Sequence, residues 1–81
     1  MQKSIHSPRY RAFLRLLREV RERAGVTQEE LATRLGESQS FVSKCERGER
    51  RLDVVEVYAF CEALGVAFAQ FARQLDGALR R

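Results

Sequence analysis

Tryptophan is missing from these 81 residues, and histidine, proline and methionine occur once each, as His6, Pro8 and Met1. With one terminal histidine, no Ser/His/Asp or Cys/His arrangement can be supported, so nucleophilic catalysis of that kind is excluded. The two cysteines, Cys45 and Cys61, stand at apolar-periodic positions and read as reduced core residues rather than a disulfide. With His6 the only histidine, a four-ligand metal site is excluded as well. The five glycines are scattered singly, so no loop of the phosphate-cradling kind exists. No apolar run approaches the ~20 residues of a membrane span, and no signal-like segment opens the chain. The expected protein is not an enzyme, carries no cofactor or metal, and is cytoplasmic.

What is present is ordinary for an ordered globule: 44% hydrophobic and 32% charged residues. The length allows one domain over 1–81, with a core of about 9–76 and short tails; folding at this mass removes about 63% of the extended chain's surface. Charge is unevenly placed. Residues 1–23 carry seven Lys/Arg against two Glu, residues 24–48 sum to −1 and residues 49–81 to zero, for a total of +4. A basic amino-terminal third points to a polyanion partner, or simply to a solvated basic helix face.

Apolar residues recur at three and four and never alternate, which predicts an all-α chain. Ser7-Pro8 opens a first helix with the stripe Tyr10, Phe13, Leu14, Leu17, Val20 and Ala24, ending at Gly25. Thr27 and Glu30 fit a capping box for a second, which buries Leu31, Ala32 and Leu35 and stops at Gly36. Ser38 caps a third, burying Val42 and Cys45 and ending at Gly48. Asp53, three before Glu56, starts a fourth that runs through Leu64, and a fifth uses Phe68, Phe71, Ala72, Leu75 and Leu79. All five glycines, Gly77 included, read as helix stops.

The central pair consists of two short, capped helices joined by the tight turn Gly36-Glu37. Helices this short persist only when others hold them, which is the arrangement of a helix-turn-helix presenting one short helix to a groove. At 100° per residue, Ser38, Phe41, Val42, Cys45 and Glu46 share one side of the third helix. Ser40, Ser43, Lys44 and Arg47 occupy the other, with Gln39 at the exposed amino-terminal end. Glutamine pairs bidentately with adenine, lysine donates to guanine, and serine serves either base; the bland reading is a wet helix face. Arg21 falls inside the apolar arc of the first helix and Glu46 near the inward side of the third, so the two are expected to pair, which fixes orientation more than it adds stability. Gln28 stands in the first turn of the second helix, where free N–H groups favour a phosphate.

The runs Thr27-Gln28-Glu29-Glu30-Leu31-Ala32, Leu35-Gly36 and Ser38 to Gly48, continued by Glu49 to Asp53 and by Ala63 to Val66, resemble the phage repressor/Cro-type helix-turn-helix family of the xenobiotic-response-element (XRE) type. The resemblance covers about residues 13–75. It implies a compact five-helix bundle of the lambda repressor-like DNA-binding kind. It further implies a transcriptional regulator that binds double-stranded DNA as a homodimer, with the third helix in the major groove of a near-palindromic operator. Carried over by position, Gln39, Ser40, Ser43 and Lys44 match base-facing residues, and Thr27, Gln28 and Arg47 match phosphate-contacting ones. Arg21 and Glu46 match the family's interhelical ion pair. Leu52 stands where many members have proline. Phe41 replaces a smaller polar residue and is either core or packed on a sugar or thymine methyl.

Given that fold, Arg50 and Arg51 are expected to clamp the DNA backbone. Lys3, Arg9 and Arg11 are candidates for a basic arm, while Arg15, Arg18 and terminal His6 read as solvated. On the fourth helix, Val54, Val57, Cys61 and Leu64 are expected to face inward. Val55, Ala59 and Ala63, on its far side, are the dimer candidates with the fifth helix. The rival reading is an adaptor or antitoxin-like module whose fourth and fifth helices grip a protein partner.

Overall fold

Each of the first four helices begins where a side-chain oxygen accepts an otherwise orphaned backbone N–H. In the structure, a computed structural model that describes residues 7–80, these are α1 (Pro8–Arg23), α2 (Gln28–Leu35), α3 (Gln39–Glu46) and α4 (Val54–Leu64); α5 (Phe68–Leu79) completes the chain. Ser7 accepts from the Tyr10 N–H, Thr27 from Glu30, Ser38 from Phe41 and Asp53 from Glu56. Around Thr27 and around Asp53 the capping box is reciprocal. Ala67 precedes α5 and supplies no such contact. Lys3 and His6 lie outside the described residues.

Gly36 ends α2 at φ 72°, a left-handed conformation that an L side chain resists, and this reverses the chain within the short turn before α3. Gly77 departs from expectation. It lies inside α5 rather than after it, because no left-handed residue follows Asp76 and the helix runs on to Leu79.

The core is one cluster. Leu31, Val42 and Cys45 are 0% exposed at its centre, with Leu17, Phe60, Cys61 and Phe71 close behind. α1 lies along α5, α2 packs on α3 and α4, and α1 also touches α3, so the short pair is gripped from two sides. Four expectations about the core are revised, the first being Ala72, which belongs to the expected apolar stripe of α5 and is exposed. Ala24 is exposed, because α1 ends at Arg23. Leu16 and Phe60 join the core. Phe60 swings the buried arc of α4 away from Val54, which is the helix's first residue and is 65% exposed rather than inward.

Candidate nucleic-acid interface

α3 is anchored by its inner face. Val42 and Cys45 are fully buried, and Phe41 packs half-buried against the core with its ring centroid 6.5 Å from that of Phe60. Gln39, Ser40 and Lys44 stand exposed on the outer face. Ser43 is set back from them: it is half-buried, and its hydroxyl accepts from the Arg47 guanidinium. The open polar arc is thus narrower than the four residues read from the sequence.

A chain of hydrogen bonds runs from the protein interior to that arc. Arg21 and Glu46 side chains are only 9% and 4% exposed and meet in a fork, Nε to Oε2 at 2.6 Å and Nη2 to Oε1 at 3.0 Å. The third guanidinium corner donates to the Val26 carbonyl at 2.9 Å, and the Glu46 hydrogen bond raises the Arg21 pKa above its ordinary value. Gln28 Nε2 donates to Glu46 Oε1 at 2.9 Å, and Gln39 Nε2 donates to Gln28 Oε1 at 2.8 Å. Gln28 is therefore half-buried and engaged at both ends of its amide, not simply turned toward solvent as a phosphate donor. Among the described residues the Gln39 oxygen and its second N–H have no partner, and they form the acceptor–donor pair that matches an adenine edge. The Thr27 hydroxyl is occupied by the α2 cap. What remains for an anion there is the backbone N–H array of the first turn.

The cations beyond α3 divide into held and free. Arg47 pairs with Glu49 at 2.9 Å, both partners more than half exposed. Arg50 pairs with Glu56 at 2.8 Å, donates to the Arg51 carbonyl and lies 4.9 Å over the Phe41 ring. These hydrogen bonds raise the arginine pKa values and hold Glu49 and Glu56 below the usual carboxylate range. Arg50, expected from the sequence as a backbone clamp, is thus engaged within the chain by Glu56. Arg51 and Lys44 have no carboxylate partner among the described residues; Arg51 rests 4.5 Å over the Tyr10 ring, whose hydroxyl accepts the Leu52 N–H at 3.1 Å. Sequence reasoning missed that Tyr10 strut. The signal was faint: a non-proline residue at position 52 leaves an N–H that needs an acceptor.

The expected stripe of dimer residues is unevenly exposed. Val55 is 72% exposed, but Ala59 and Ala63 are half-buried, and Ala63 packs on the core while its carbonyl accepts from Arg34 at 2.8 Å. The α4 side toward α2 is closed by that contact. The open apolar residues are Val54, Val55 and Tyr58, with Tyr58 leaning on Phe68 at a centroid distance of 5.8 Å.

A short capped helix held outward after a glycine turn defines a helix-turn-helix, and a family model described as "Helix-turn-helix domain" matches residues 12–75. The chain belongs to this family, in its XRE group. It is 52% identical to a solved XRE-family like protein from Pseudomonas syringae pv. tomato, with a TM-score of 0.83 over 93% of this chain and 92% of that one. It is 41% identical over 64 residues to the uncharacterized HTH-type transcriptional regulator y4dJ of Sinorhizobium fredii, covering 79% of this chain and 78% of the relative. The restriction–modification controller protein C.Esp1396I, solved as a tetramer in complex with its natural 35 base-pair operator, shares the fold. Its TM-score is 0.83 at 22% identity, over 94% of this chain and 100% of that one.

Proposed function

We propose that this protein is a sequence-specific double-stranded DNA-binding transcriptional regulator that works beside DNA in the cytoplasm as a homodimer. α3 lies in the major groove, with Gln39, Ser40 and Lys44 on base edges and Ser43 in a secondary position. The α2 amino terminus, with Thr27 and Gln28, approaches a phosphate, and Arg51 holds the backbone beyond α3. Arg47 and Arg50 join by exchanging a glutamate for a phosphate. That exchange costs little, since solvent-exposed ion pairs contribute about 0–1 kcal/mol. The observation that carries this reading is the continuous path from the buried Arg21–Glu46 fork through Gln28 to Gln39. It orients the first outward side chain of α3 before any ligand arrives.

The dimer in this reading uses Val54, Val55 and Tyr58 with the start of α5, in place of the Val55, Ala59 and Ala63 stripe. Selection from random duplexes should return a near-palindrome whose half-sites place the two α3 helices about 34–36 Å apart. Log affinity for the selected duplex should fall steeply with log salt as phosphate contacts release counterions. No enriched duplex, or an affinity flat in salt, would transfer the assignment to the adaptor reading, in which α4 and α5 serve a protein partner.

A further inference from the structure

α1 has a second face that the DNA reading does not use. At 100° per residue, Arg9, Ala12, Leu16, Glu19 and Arg23 fall within an arc of about 80°, and Arg21, which reaches α3, lies about 160° from its centre. This arc and the carboxyl-terminal half of α5 wall an open groove of about 1030 Å³, with Leu16 (9% exposed) and half-buried Ala78 and Leu79 lining it.

Two independent features mark the groove. Arg9, Arg15 and Arg23 line it without a carboxylate partner among the described residues, as Arg11, Arg34, Arg51 and Arg73 are elsewhere, and with Glu19 the one acid in the lining the groove is net basic. Gly77, in the opposite wall, sits inside α5 with nothing within 4 Å of where a Cβ would be. A glycine inside a helix is less favourable than an alanine there. Among the described residues no turn, positive φ or neighbour calls for it. A bare backbone facing an open groove suits close approach by another chain.

We propose that the α1–α5 groove docks an acidic amphipathic helical segment of another protein, with its apolar stripe on the half-buried Ala12, Ala78 and Leu79 and its carboxylates on Arg9, Arg15 and Arg23. Charge complementarity selects this occupant. A phosphate backbone matches the arginines but neither the apolar floor nor Glu19. A second copy of this chain, with net charge +4, brings no comparable acidic excess. Because the groove lies away from α3, such a partner binds whether or not α3 is occupied.

The test titrates the whole protein with a synthetic amphipathic helix of ~14 residues, about four turns, bearing a Leu/Ala stripe flanked by glutamates, and follows amide shifts by NMR. Shifts should cluster on α1 around Ala12 and Leu16 and on α5 from Gln74 to Leu79. Affinity should drop at least about tenfold for the same peptide with glutamine in place of glutamate. The drop should be similar for the Arg9→Glu/Arg23→Glu protein, and for Gly77→Leu, which fills the groove with a better helix former. Circular dichroism checks that both variants fold. The proposal fails if the glutamine peptide binds equally, if shifts map elsewhere, or if Gly77→Leu leaves affinity intact. It also fails if duplex DNA displaces the peptide from these residues, or if Gly77→Leu alters the oligomeric state in sedimentation, which would make the groove a contact between copies.

Discussion

α3 and α5 are held in opposite ways. α3 has eight residues, a serine cap, two fully buried side chains and, through Glu46, a buried arginine on another helix. α5 has twelve residues, no side-chain cap, one buried residue (Phe71) and a glycine inside it. Packing of one apolar stripe keeps a helix against a core but leaves its rotation and pitch loosely fixed. The forked ion pair and the Gln28–Gln39 bond set both for α3. Directional contacts are concentrated on the helix whose outward side chains must meet base edges in register, and α5, packed on the core by Phe71, has no such contact to another helix among the described residues.

Removing the fork should have the largest effect. Glu46→Ala strands the Arg21 guanidinium at 7% exposure and should destabilise folding by about 3–5 kcal/mol. It should also widen the base preference at the position Gln39 reads, because Gln28 loses its anchor. An unchanged melting temperature would end the contrast between the two helices. Lys44→Ala should leave the melting temperature alone and cost about 1–3 kcal/mol at the selected duplex. Full discrimination by that variant would mean that the exposed arc of α3 is not the reading surface.

A smaller effect separates the two amino termini. Ser38→Ala should cost about 1 kcal/mol, while Ala67→Asp, which supplies the missing α5 cap, should gain a comparable amount; thermal unfolding of both variants measures the pair. Smallest is the acid response of the capping boxes. Glu30 is held below its ordinary value of 4.5 chiefly by the Thr27 backbone N–H, and Glu56 chiefly by Arg50 and then by the Asp53 N–H. A lowered folded-state pKa means that the unfolded chain takes up protons first. This stability is therefore complete above the ordinary glutamate range and is lost as pH falls through the folded values. Glu30→Gln/Glu56→Gln should flatten the decline of melting temperature with acidification. An unaltered slope would place the acid sensitivity elsewhere.

Much of this was legible from local chemistry. Ser7, Thr27, Ser38 and Asp53 act on the three or four residues after them, so their caps can be read without any tertiary knowledge. Arg21 and Glu46 could be matched because each was an ionisable group on an otherwise apolar arc. What stayed hidden depended on neighbours remote in the chain. Phe60 redirected the buried side of α4 and left Val54 in the open. Arg34 closed the α4 side at Ala63. Glu56 claimed Arg50 across a loop. The role of Gly77 turned on whether the helix continued past it, which residue identity alone does not decide. The base-facing positions were visible as exposed polar residues; the hydrogen bonds orienting Gln39 were not, because α2 and α3 meet only in the folded chain.

The phenol of Tyr10 accepting the Leu52 amide has a practical consequence for chimeras. A proline at position 52 would have no hydrogen to offer. Leu52→Pro alone would leave the tyrosine oxygen without its donor and loosen the perch on which Arg51 sits. Positions 10, 51 and 52 are therefore coupled in this structure: anyone grafting this protein's α3–α4 loop onto a relative's scaffold should move all three together.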